Sequence, residues 1–155
     1  MAVNPPSSTS KMLYGAFFIL ALPVLLVLWA KATAPAVQVP LSASMPLGLT
    51  LGTVGALLII PGMVALWIHG KGLPMNLAPP PNYVTQGVFR LLPHPIYTGF
   101  CVLSVGLPIA AGSASGLWLV SPLAALGCAA LVLGYERHDL RQRFGDAKVN
   151  PHSIL

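Results

Sequence analysis

Residues 87–99 read Gly-Val-Phe-Arg-Leu-Leu-Pro-His-Pro-Ile-Tyr-Thr-Gly, a polar loop that ends where an apolar helix begins. Pro93 and Pro95 bracket His94, so φ is fixed on both sides of it and its own backbone is pushed out of the helical region. The imidazole is therefore presented rigidly. Tyr97 follows three residues later, at the start of the helix, which places its phenol near the boundary between water and lipid beside the imidazole. A second polar cluster, Tyr-Glu-Arg-His-Asp-Leu-Arg-Gln-Arg-Phe-Gly at 135–145, follows the last apolar segment. The two clusters are expected to meet.

Working outward, the chain has 155 residues, of which 55% are hydrophobic and 7% charged, with a mean hydropathy of +0.79. That balance belongs to an integral membrane protein rather than a soluble domain. The net charge is +5, and the three acids, Glu136, Asp139 and Asp146, all follow the last apolar segment. The basic residues flank apolar segments and form no continuous stripe with interleaved aromatics, which argues against nucleic-acid binding. Cys101 and Cys128 lie inside apolar segments, where small buried thiols are ordinary packing residues; a disulfide is disfavoured and no zinc spacing is present.

Residues 1–11 lack apolar periodicity and are expected to form a flexible tail. The run 12–30 is long enough to span a bilayer, and its length and terminal Trp29 favour an uncleaved anchor over a signal peptide. Pro23 is expected to bend it. After a proline-rich connection at 32–44, residues 45–68 form a second span, whose Gly48, Gly52 and Gly55 are read as a packing face for another helix. Pro61 and Gly62 predict a kink. Residues 69–93 are a long loop whose apolar members, Leu73, Met75, Leu77, Tyr83, Val84 and Phe89, predict packing at the membrane surface; its Gly70 and Gly72 make no dinucleotide fingerprint. Residues 96–111 and 117–135 are a third and fourth helix joined by a small-residue turn at 112–116. The third is short, which predicts a hairpin that is tilted or does not fully cross.

The expected fold is thus an all-α integral membrane protein of about four transmembrane helices, the last two a helical hairpin. The expected organisation is a tail at 1–11, two anchoring helices within 12–68, a core at 69–145 and a second tail at 146–155. Four crossings place Lys11, Lys71, Arg90, Arg137, Arg141, Arg143 and Lys148 on one side and Lys31 on the other. By the positive-inside rule the basic side is cytoplasmic, and with it both termini, His94, Tyr97 and Glu136.

Glu136 is placed by this reading at the C-terminal end of a helix, where its charge opposes the macrodipole and requires a cationic partner. Arg90, Arg137, Arg141 or a cationic ligand would supply one. The plainer alternative is a surface ion-pair cluster, since Asp139 and Arg143 stand at i, i+4. His138 and His152 read as solvated side chains. A metal shared by His69, His94 and His138 is disfavoured because no pair has helical ligand spacing, and no ionisable residue lies mid-span, as a transporter would require.

Taken together, the motifs at 87–99 and 135–145 resemble the isoprenylcysteine carboxyl methyltransferase family and its phospholipid N-methyltransferase relatives. Gly87, Phe89, Arg90, His94, Pro95, Tyr97 and Gly99 match the first family motif, and Glu136, Leu140, Phe144 and Gly145 the second. The resemblance covers roughly 70–145. It implies an integral-membrane methyltransferase using S-adenosylmethionine, bound by a cytoplasmic loop and the hairpin beneath a lipid-facing tunnel. His94, Pro95, Tyr97, Gly99 and Glu136 would form the cofactor-binding set, with His94 and Tyr97 hydrogen-bonding the cofactor's methionyl or ribose groups and Glu136 its ammonium or ribose hydroxyls. Gly99 would let the backbone approach the cofactor or a neighbouring helix. Arg90 or Arg137 would be catalytic, steering an anionic acceptor, and the acceptor would be a membrane lipid or an isoprenylated cysteine carboxylate. Pro93 stands where the family has arginine, and Arg137 where it has a second glutamate. The alternative reading is a non-catalytic membrane partner or lipid-binding module that keeps the fold.

Overall fold

The structure, a computed structural model, describes residue 13, residues 17–71 and residues 81–145. Among these there are helices and no strand. After a π-helical turn at Phe17–Ala21, the chain forms four helices: α1 at Leu22–Ala36, α2 at Met45–Gly70, α3 at Pro95–Ala111 and α4 at Gly116–Phe144. The expected tails at 1–11 and 146–155, and the loop residues Gly72, Leu73, Met75 and Leu77, lie outside the described residues.

A bilayer core of about 30 Å needs about 20 helical residues at ~1.5 Å each. The 26 residues of α2 and the 29 of α4 meet that length and are apolar enough to cross. By contrast α1 and α3 are shorter apolar helices, and α3, with 17 residues, has the shortness its sequence predicts. Among the described residues, two helices are therefore long and apolar enough to span a bilayer. The tryptophans mark the two ends: Trp29 and Trp118 are exposed near the end that holds the hairpin turn, and Trp67 at the opposite end.

Two helix ends depart from the expected limits. α2 continues through a π-helical turn at Leu66–Gly70, so His69 is helical, and Lys71 at φ 55° stops the helix. More consequentially, α4 runs through the second polar cluster. Arg137–Phe144 contains no proline or glycine, and Arg143 donates to Asp139 one turn back at 3.2 Å, which supports an exposed helix. Gly145 at φ +76° marks the end. Glu136 thus lies two turns inside the helix, and the expected conflict with the helix terminus falls away, because terminal partial charges act only over the last turn.

The α2–α3 contact is the principal packing of the fold. A Cβ on Gly55 would sit 2.7 Å from Gly99 O, and one on Gly99 2.7 Å from Gly55 O. Each glycine accommodates the other's backbone. Gly48 meets Ala110 in the same way, with backbone atoms 2.5 Å from the position of an added Cβ. The glycine face of α2 is the packing face its spacing predicts.

Opposite the His94 end, Gly112 at φ +63° ends α3, and Ser113 N donates to Pro108 O at 2.9 Å, satisfying a terminal carbonyl. The Ser113 hydroxyl then accepts from Gly116 N at 3.1 Å, a side-chain cap for α4. The Ser121 hydroxyl lies within hydrogen-bonding distance of the carbonyls of Ser104 and Gly116. Thr33 and the buried Ser115 share a hydroxyl hydrogen bond that ties α1 to the start of α4. Ser44 N donates to Ile109 O at 3.1 Å, fastening the connection before α2 to the same end. Cys101 and Cys128 are free thiols.

Candidate cofactor and acceptor site

His94 enters the site from a backbone made for it. At φ −130°, ψ 64° it is outside the helical region, as its flanking prolines require. Its carbonyl accepts from Thr98 N at 3.0 Å and from the Thr98 hydroxyl at 2.9 Å, so α3 starts at Pro95 and His94 is its cap residue. Tyr97, half-buried in the first turn, stands with its ring centroid 6.1 Å from that of His94 at 54°. That is within the range of favourable tilted ring pairs.

Glu136 arrives from the other motif. It closes a π-helical turn at Val132–Glu136, and the residue such a turn inserts rotates the helix about its axis from there on. In the structure its Oε1 is 3.7 Å from His94 Nδ1, beyond hydrogen-bond range but close enough to act as an ion pair when the imidazole is protonated. Both side chains are largely shielded, at 12% and 30% exposure. The two motifs meet.

This pair is distinguished by the atoms it leaves over. His94 Nε2 and Glu136 Oε2 are buried, and neither has a hydrogen-bond partner among the described residues. The Nε of Arg137 is in the same condition one residue further on. Buried polar atoms are nearly always paired, so an imidazole, a carboxylate and a guanidinium are left with spare hydrogen-bonding capacity at one helix end. Ammonium and hydroxyl donors are suited to the carboxylate, and an anion to the guanidinium.

The remaining expected residues are distributed around the pair. Pro95 is buried and fixes the first turn of α3. Gly99 lies against Gly55, so the approach it permits here is that of the neighbouring helix. Arg90 is exposed at the end of a 3-10 turn at Gly87–Arg90 and makes no ion pair among the described residues. His138 is exposed and hydrogen-bonds Gln142 at 2.8 Å. Among the described residues no three of His, Cys, Asp and Glu gather as metal ligands.

Two supports were not assigned from the sequence. The Tyr83 ring packs on Phe144, with centroids 5.6 Å apart, and Asn82 donates to His69 O at 3.3 Å. Together they hold the loop after residue 80 between the ends of α2 and α4. The match of Phe144 to a motif was the available signal, but its partner is far away in sequence. Val84 is buried with Ala65 and Leu66, and Phe89 and Ile96 pack on them, so the described part of the loop packs against the end of α2 and the start of α3.

The described residues form an all-helical fold with two helices long and apolar enough to cross a bilayer, and a shielded His–Glu pair stands where a short apolar helix begins and a long one ends. The chain belongs to the phospholipid methyltransferase family, which it matches over residues 43–147. That match takes in α2 as well as the hairpin. The Arabidopsis thaliana protein-S-isoprenylcysteine O-methyltransferase B is 35% identical to this chain over 69 residues, which cover 40% of this chain and 31% of the plant protein. The similarity thus extends over less than a third of that relative's length. No solved structure matches the chain.

Proposed function

We propose that this protein transfers a methyl group from S-adenosylmethionine to an acceptor held in the membrane, either a lipid or an isoprenylated cysteine carboxylate. The observation that carries the reading is the His94–Glu136 pair, whose His94 Nε2 and Glu136 Oε2 are buried with no partner among the described residues. The plant relative, an isoprenylcysteine O-methyltransferase by name, supports the lipidated acceptor. S-adenosylmethionine supplies a sulfonium-bound methyl, whose in-line displacement asks mainly for orientation and shielding from water.

The chain's own residues answer those demands. His94 and Glu136 hold the cofactor's polar groups by charge-assisted hydrogen bonds, and Tyr97 flanks the imidazole from the first turn of α3. Pro95 keeps His94 in its cap position, and Gly99 lets α3 close on α2 so that the turn is held firmly. We assign the acceptor's anionic group to Arg137, whose Nε is buried with no partner among the described residues, rather than to the exposed Arg90. On this reading Arg137→Glu raises KM for a carboxylate acceptor by about 10-fold or more, the value of a charge-assisted contact, while cofactor affinity changes little. Equal loss of both would place Arg137 at the cofactor instead.

Calorimetric titration of S-adenosylhomocysteine into the protein in detergent tests the cofactor. Saturable binding is expected, and its absence from folded protein would favour the non-catalytic reading. The site end carries Lys71, Arg90, Arg137, Arg141 and Arg143, and the opposite end Lys31; this bias supports a cytoplasmic site with both termini on that side. Accordingly, Gln38→Cys should react with an impermeant thiol reagent added to intact cells, and Lys71→Cys should not. The reverse pattern would invert the topology.

A further inference from the structure

The turn before His94 is built to present an outer surface. Gly87 takes φ +62°, and the amides of Leu91 and Leu92 both donate to Val88 O at 3.0 Å. Phe89 packs inward against the Ala65, Leu66 and Val84 cluster. Leu91 is left 82% exposed and Trp67, next to Leu66, 70% exposed. These are the two most exposed large apolar side chains among the described residues, and the Phe89 contact brings their backbones to the same end of the bundle.

Between them in character stands Arg90, exposed and without an ion pair among the described residues. The described carboxylates there are already engaged: Asp139 holds Arg143 at 3.2 Å, and Glu136 faces His94. A guanidinium with no counter-ion among the described residues, at the same end of the bundle as an exposed tryptophan and leucine that water does not favour, matches the layered chemistry of a bilayer surface, phosphate above acyl chain. Tryptophan is enriched at this level because its ring is apolar and its N–H polar. The other basic residues of this end add attraction for a negatively charged headgroup.

We infer that Arg90, Leu91 and Trp67 form a headgroup-level site for an anionic phospholipid of the bilayer, with Arg90 on the phosphate and the two apolar side chains at the acyl boundary. The site concerns the turn and the membrane, and stands independently of methyl transfer. Its role is to fix the depth and tilt of the loop that carries His94.

The test uses Trp67 as the only reporter, in a protein carrying Trp29→Phe and Trp118→Phe, both exposed positions. The protein is reconstituted in phosphatidylcholine vesicles containing equal mole fractions of either brominated phosphatidylglycerol or brominated phosphatidylcholine. Trp67 fluorescence should be quenched several-fold more effectively per molecule by the anionic lipid. In the same background Arg90→Gln should remove that preference and Arg90→Lys should keep most of it, with circular dichroism confirming helicity in each. Equal quenching by both lipids in the parent, or a preference unchanged in Arg90→Gln, would overturn the inference.

Discussion

Replacing His94 with alanine is expected to weaken S-adenosylhomocysteine binding by about 10- to 100-fold, and Glu136→Ala to do the same, with neither variant losing helical content. The size reflects removing one hydrogen bond to a charged group in a shielded setting, about 1.5–3 kcal/mol, at 1.4 kcal/mol per decade. The fold should survive because the contacts that start α3 come from the His94 carbonyl, which alanine retains, while Pro95 still fixes the first turn. Glu136 sits mid-helix, where alanine is the strongest helix former. Near-normal affinity in both variants would remove the pair from the site. Glu136→Gln separates the two contacts open to this carboxylate: if it neutralises the cofactor's ammonium, glutamine should bind as poorly as alanine, and if it accepts from ribose hydroxyls, glutamine should recover most of the affinity.

The second large effect lies in the α2–α3 contact. Gly99→Ala places a methyl group 2.7 Å from Gly55 O, and Gly55→Ala places one 2.7 Å from Gly99 O. Backbone oxygens cannot rotate away, so the helices must separate, at a cost of about 1–3 kcal/mol for overpacking. Each variant should unfold at a lower temperature in detergent, and the double variant should lose less than the sum of the two, because both disturb one contact. Gly127→Ala is the control. Nothing lies within 4 Å of its added Cβ, so it should unfold at the parent's temperature or above. Loss of cofactor affinity in Gly99→Ala alongside the stability loss is also expected, since α3 carries Tyr97 at its first turn and starts at the His94 cap.

Much of this was readable in the chain. Apolar run length gave the membrane class, since hydrocarbon accepts only backbone that satisfies itself. The glycine spacing of α2 named its packing face because positions four apart share a helix side. The prolines around His94 predicted a backbone that the structure reproduces, as ring closure acts locally and needs no tertiary partner. The helix ends were less legible. Residues 135–145 are charged, and charge alone does not distinguish a solvated loop from a helix leaving the bilayer, which is why α4 proved longer than its apolar run.

The site divides the same way. Its residue types and their motifs were set by the sequence, and a meeting of the two clusters was expected from topology. Only the tertiary structure decided how they meet: a π-helical turn sets the rotation of Glu136, and Phe144 finds its partner in Tyr83. Likewise only packing placed Gly99 against Gly55, left Arg90 outside, and left single atoms of His94, Glu136 and Arg137 buried without partners among the described residues. Backbone preferences are local and therefore written residue by residue in this chain, whereas the pairing of a side-chain atom depends on neighbours that only the folded helices bring within reach.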